Sequence, residues 1–204
     1  SDQIQSFLFA KGAIMNREWG DQQHMHSSGS FLLVVILVAL LSGAWAENIV
    51  FPAGAGLKNV MTDFGAKGDG TTDDTKALQD AFGVGNAHAI YLPNGTYKVT
   101  ASIICRTASR GPWIYGQSRA GVVIKLADNA AGFGNASSPQ PVIAAHGIKT
   151  GEPISADFFY RQWRNFTVDA GNNPGAIGMR YYGNNCSILD NVLIKGNGVY
   201  GLNI

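Results

Sequence analysis

The apolar positions of this chain change period partway along it. Ala77, Leu78, Ala81 and Phe82 are spaced i, i+1, i+4, i+5, one stripe of an amphipathic helix. Thr72 or Asp73 can accept hydrogen bonds from the free N–H groups of a first turn, and carboxylates there suit the positive end of the helix dipole. Gly83 is a natural stop. The spacing therefore predicts one short capped helix over 73–82, preceded by loop from Glu47 and a short strand at Lys58 to Thr62. Beyond the helix the period drops to 2. Strands are predicted at Ala89 to Leu92, Tyr97 to Cys105, Trp113 to Tyr115, Val122 to Leu126 and Pro141 to Ala145. Further ones follow at Trp163 to Val168, Ala176 to Tyr181, Ser187 to Ile194 and Val199 to Ile204. Pro93-Asn94-Gly95 has hairpin-turn chemistry. Many short strands between Gly- and Asn-rich turns suggest a sandwich, a barrel or a β-solenoid.

The last forty or so residues discriminate among these. Asn165-Phe166-Thr167-Val168 matches Asn191-Val192-Leu193-Ile194 at an offset of 26, and Ala176-Ile177-Gly178-Met179 matches Val199-Tyr200-Gly201-Leu202 at 23. Strand, turn, strand at such a period is what stacked coils require, because one coil cannot bury its apolar face alone.

Composition agrees with a turn-rich β protein. Of 204 residues only 14% are charged, 26 are glycine, and the net charge is +1. No basic stripe recommends nucleic acid, and no acidic run recommends a disordered tail. The run Phe31 to Leu41, followed by Ala44-Trp45-Ala46, reads as a secretory signal peptide over 25–46, cut after Ala46. It is shorter than the roughly 20 apolar residues of a membrane span, so no stable anchor is expected. Residues 1–24 are set aside as leader or read-through. The mature chain is then 47–204, placed in a secreted, periplasmic or cell-surface location.

"VMTDFGAKGDGTTDDTKALQDAF" followed by "IYLPNGTYKV" resembles the N-terminal signature of the pectate-lyase superfamily, which includes the polygalacturonases of glycosyl hydrolase family 28. "WRNFTVDAGNNPGAIGMRYYGNNCSILDNVLIKGNGVYGLNI" resembles the middle coils of glycosyl hydrolase family 28-related proteins. The likeness covers roughly residues 58–204. It implies an all-β, right-handed single-stranded parallel β-helix with a short N-terminal capping helix. It also implies an exported polysaccharide hydrolase or lyase acting on pectin-like or other acidic glycan. The alternative is a non-catalytic or tailspike-type β-helix that binds glycan, and only that alternative implies a trimer. Asp69, Gly70, Asp73 and Asp74 are then read as the structural cap. Asp69 to Asp73 has a faint look of a calcium loop but lacks the alternating ligands and distal Glu of an EF-hand. No cofactor is evident, and calcium is expected only if the parent is a lyase.

The family's catalytic motifs, Asn-Thr-Asp, a coil-borne Asp-Asp, Gly-His-Gly and Arg-Ile-Lys, do not occur as coil motifs here. Catalytic residues are therefore expected beyond Ile204, and the chain reads as the N-terminal portion of a longer, truncated domain. Within the coils, Arg180 and Lys195 are candidates to meet an acidic sugar. Asp169 and Asp190 are candidates to bind beside them or to cap turns, and the plain reading for all four is solvated turn residues. His146 falls in what reads as a long insertion, and Phe159 to Trp163 offers aromatic rings suited to sugar or to packing. Asn94, Asn135, Asn165 and Asn185 begin N-x-Ser/Thr sequons. At roughly 20–25 residues per coil, Cys105 and Cys186 lie three to four coils apart, or about two if the 127–158 insertion belongs to no coil. Either spacing exceeds the roughly 7 Å that a disulfide tolerates.

Overall fold

The structure, a computed structural model, describes residues 47–52, 54–83, 89–107, 112–149, 152–155 and 158–204. The expected leader and signal peptide lie outside the described residues. Among the described residues the chain makes five passes around a common core, each crossing three faces. The first pass is β1 (Lys58–Asn59), β2 (Asp69–Asp73) and α1 (Thr75–Gly83), and the second is β3 (Ala89–Leu92), β4 (Gly95–Val99) and β5 (Ile103–Thr107). The third is β6 (Trp113–Gly116), β7 (Val122–Leu126) and β8 (Gln140–Lys149), from which β9 (Glu152–Ser155) folds back antiparallel. The fourth is β10 (Gln162–Asn172) and β11 (Ala176–Tyr181), and the fifth β12 (Ile188–Asn197) and β13 (Tyr200–Asn203).

All pairings but β8–β9 are parallel, and they run between successive passes. β10 bends at Asn165 (φ 62°), so its first half lies on β6 and its second half on β7. β12 repeats the bend at Asn191 (φ 50°). Asn is one of the few side chains that tolerate this left-handed region. The Asn191 amide donates to Asn165 Oδ1 at 2.8 Å, joining one corner to the next. The faces are then β1-β3-β6-β10-β12, β2-β4-β7-β10-β12 and β5-β8-β11-β13, an all-β parallel β-helix with one short N-terminal helix. Phe166 faces Val192 and Ile177 faces Tyr200, so the 26- and 23-residue repeats are the strand register itself.

Period-2 alternation turns every second residue inward, and the register stacks these into columns. Ile90, Ile114, Trp163 and Leu189 form the first, Tyr97, Ile124, Val168 and Ile194 the second, Ile103, Ile143, Met179 and Leu202 the third. Each large side chain fully buried here contributes about 1.5–3 kcal/mol. Trp163 is central. The Phe82 ring of α1 meets it at 5.5 Å, Tyr181 at 5.7 Å and Phe158 at 6.1 Å, all edge-on.

α1 takes the place of a strand beneath β5, burying Leu78, Ala81 and Phe82. The Gln79 carboxamide accepts from Ile104 N–H and donates to Ile104 C=O, both at 2.8 Å. One side chain thus imitates a neighbouring strand and blunts the lower edge of β5.

Several local expectations are corrected. The run Tyr97 to Cys105 divides into β4 and β5 because Thr100 turns a corner, its N–H donating to Thr75 Oγ1 and its hydroxyl to Asp73. Pro93-Asn94-Gly95 is likewise a corner, since β3 and β4 lie on different faces and do not pair. Asp69–Asp73, within the stretch read as the structural cap, forms strand β2, so that α1 begins at Thr75 and not at 73, and His146 lies on a coil strand, not in an insertion. Cys105 lies on β5, and Cys186 lies in the turn after β11, the strand two parallel steps from β5 through β8. Both are free; Cys105 is buried, whereas Cys186 is exposed. No helix among the described residues is long and apolar enough to cross a membrane.

Candidate functional site

Outward positions decide what each face offers a ligand. On the first face the segment from Glu47 packs along the strands. Ile49 N–H donates to Gln117 C=O (2.7 Å), Tyr91 donates its hydroxyl to Ile49 C=O (3.1 Å), and the Phe51 ring meets Tyr91 and Tyr115 edge-on. Asp190 sits here, ion-paired at 3.1 Å to Arg164, which also holds Glu47 at 3.1 Å.

The second face carries a column of charges in register: Asp73, Lys98, Lys125, Asp169, Lys195. Lys195 pairs with Asp169 at 3.2 Å, and Lys98 donates to Thr71 C=O at 2.9 Å. Asp169 also accepts from Gly171 N–H at 2.9 Å, a turn-capping contact.

Below this column lies the acidic cluster of the first pass. Asp69 accepts from the N–H groups of Thr72 (2.7 Å) and Thr71 (2.8 Å), which hold its carboxyl well below the usual carboxylate range. Burial works against the charge on Asp73, yet hydrogen bonds from Thr75 and Thr100 outweigh it and keep its carboxyl below the ordinary value. Asp74 is buried and turns back to accept from Lys67 N–H (2.7 Å) and Gly68 N–H (2.9 Å). Gly70 has φ +76°, a conformation that favours glycine. These carboxylates are engaged in tying the entry loop to α1 and β4.

The third face differs. Its outward columns are Ile104, Ala144, Arg180, Asn203 and, beside them, Arg106, His146. Tyr182 continues the second column, its N–H donating to Ala145 C=O at 2.9 Å. These columns hold two arginines and a histidine and no carboxylate. Tyr182 donates its hydroxyl to Asn203 Oδ1 at 3.3 Å, and Arg180 has a buried Nε with no hydrogen-bond partner among the described residues. His146 is buried, its Nδ1 3.0 Å from Gly147 C=O. The longest connections border this face. The loop 127–139 leads into β8 and packs on the turn before β11, where Gly175 N–H donates to Phe133 C=O at 2.7 Å. On the other side β9 folds back on β8 from Gly147 to Lys149. The two connections thus lie at opposite ends of the strands of this face, and long connections are where binding groups concentrate.

The four sequence candidates are therefore not one site. Arg180 lies on the third face, Asp169 and Lys195 on the second, Asp190 on the first. Arg106, His146 and Tyr182 were missed as partners of Arg180. They come from separate coils, and only the 40- and 36-residue offsets of this face align them, offsets hidden by the insertions.

Residues 57–202 match the family model described as rhamnogalacturonase A/epimerase, pectate lyase-like. Alginate lyase 7 of Azotobacter vinelandii is 42% identical over 75 residues, covering 33% of this chain and 9% of that protein. Mannuronan C5-epimerase AlgE5 of the same organism is 41% identical over 75 residues, covering 33% of this chain and 8% of that protein. Glucan 1,3-beta-glucosidase of Cochliobolus carbonum is 32% identical over 120 residues, 57% of this chain and 14% of that protein. The chain thus matches only a small part of the length of these relatives.

Proposed function

The chain belongs to the rhamnogalacturonase A/epimerase, pectate lyase-like family, and from that premise we propose that its third face binds an acidic polysaccharide in an exported carbohydrate-active protein. The observation that carries this reading is the register, which gathers Arg106, His146 and Arg180 beside Tyr182 and Asn203 on one face whose columns hold no carboxylate; we read this face, with a long connection at either end of its strands, as the cleft that holds the chain of sugars. Guanidinium groups match carboxylates in geometry as well as charge, and a planar fork needs no reorganisation to receive one. Names among its relatives, alginate lyase and mannuronan epimerase, fit the same class of polymer.

Elimination and epimerisation both begin by removing the proton beside a uronate carboxylate, and a cation on that carboxylate makes the proton more acidic. The cationic cleft therefore favours lyase or epimerase chemistry over hydrolysis for the parent protein, with His146 and Tyr182 the groups of this face that can handle a proton. In affinity electrophoresis through alginate and polygalacturonate, Arg180→Ala and Arg106→Ala should each weaken binding about tenfold. Lys195→Ala and Asp190→Asn, on other faces, should leave it unchanged. Equal binding by the arginine variants would refute the cleft. With full-length protein, absorbance of unsaturated uronate separates elimination from hydrolysis, which releases reducing ends without it.

A further inference from the structure

We propose that Trp113 and Tyr160 form a second glycan contact, a rigid aromatic platform at the corner between the third and first faces that stacks on the C–H face of a pyranose ring. Neighbouring large aromatics are fully buried, as Phe158 and Trp163 are, yet Trp113 is 43% and Tyr160 55% exposed. Trp113 points outward from β6, because Ile114 beside it faces the core. Its indole N–H, the only polar group it has, donates to Tyr160 C=O at 2.7 Å. With that donor satisfied, the ring has apolar faces left to offer.

Tyr160 is held outward at a cost. Its φ is +57°, a region that a bulky side chain enters only under constraint. The constraint is visible: Tyr160 N–H donates to Asn185 C=O at 3.1 Å while its own carbonyl receives Trp113. The Phe159 ring backs it at 6.5 Å. The indole, held by its N–H, and the Tyr160 backbone, held at both its polar groups, have little freedom left to lose when a ligand arrives.

The surroundings select a sugar over a protein. The backbone beside Tyr160 belongs to neutral amide residues: Asn185 accepts its N–H, Asn184 pairs with Phe159 and Gln162 follows two positions on, and such neutral groups exchange hydrogen bonds with hydroxyls. A pyranose presents weakly positive C–H groups to the negative face of an aromatic ring, with hydroxyls around its rim. A protein partner would need a contiguous patch of several hundred Å² or more, not two rings set among amides. Because the contact uses no ion pair, it should be indifferent to the charge of the glycan and to salt, unlike the arginine cleft.

The test uses the full chain and two probes, sodium alginate and a soluble neutral β-glucan, each at low and high salt, read by affinity electrophoresis and tryptophan fluorescence. Trp113→Ala should weaken binding of both polymers about tenfold at either salt concentration. Tyr160→Gly should do the same while folding at least as stably, since glycine relieves the φ strain. Arg180→Ala should affect only alginate, and mainly at low salt. Wild-type binding of either polymer by folded Trp113→Ala and Tyr160→Gly overturns the platform. So does a loss confined to alginate at low salt, which would make the rings part of the cationic cleft. Loss in the aromatic variants with none in Arg180→Ala upholds the platform and removes the cleft reading instead.

Discussion

Asp74 shows how little of a residue's work is visible from its neighbours in sequence. It stands at the start of α1, and its carbonyl does accept Leu78 N–H, but its carboxylate holds the N–H groups of Lys67 and Gly68. Asp74→Ala leaves both donors without a partner and should cost about 2 kcal/mol in urea unfolding, more than an ordinary surface substitution. Asp69 and Asp73 predict the acid limit. Both carboxyls bind protons less readily in the folded chain, so their contribution is complete above about pH 4, the unfolded value. It is lost as pH falls through the lower folded values. Asp69→Asn and Asp73→Asn should therefore lower stability at neutral pH and flatten its decline in acid, as thermal melts from pH 7 to pH 2 would register. The thiols differ in the same measurable way. Burial pushes Cys105 up to about 12, with Arg161 pulling the other way, while Cys186 is exposed. A thiol reagent should label Cys186 promptly and Cys105 only on unfolding; prompt labelling of both would place Cys105 outside the core.

At the scale of elements, edges and corners matter more than strand propensity. Gln79→Ala removes the imitation strand beneath β5, exposing the N–H and C=O of Ile104. The expected result is a loss of about 1–2 kcal/mol together with concentration-dependent association in light scattering. A corner explains Gly116 as well. A Cβ there would lie 1.8 Å from the Asn165 carbonyl oxygen, on the next pass. Gly116→Ala must push two coils apart and should cost about 3 kcal/mol, where an alanine at Gly132, which meets nothing within 4 Å, answers only to its φ of +87°. Corners also account for the misread turn at Pro93 to Gly95. Turn residues report a change of direction but not whether the next strand returns beside the last or moves on to another face.

For the whole molecule, the 26- and 23-residue repeat in the last two passes was legible because those passes carry no insertion, so sequence offset and spatial register coincide. α1 was legible for a similar reason: a helix stripe is local, and its cap lies within a few residues of it. Period-2 alternation likewise marked which residues of Val122 to Leu126 turn inward. What local pattern cannot hold is which outward residues share a face. Arg164 and Asp190 meet because 26 residues return the chain to the same point, whereas Arg106 reaches His146 over 40 and Arg180 reaches Ala144 over 36. The loop 127–139 and the β9 hairpin set those larger offsets, and nothing local in the flanking strands encodes their span. The sequence by itself determined the strand period, the capped helix and the stacked-coil repeat, since each rests on contacts within a few residues or on a repeated unit. Only the tertiary structure decided that Arg180 stands apart from Lys195, Asp169 and Asp190, and that Trp113 and Tyr160 share one corner. Those placements depend on the summed length of every coil between them, a quantity fixed by closure of the whole stack.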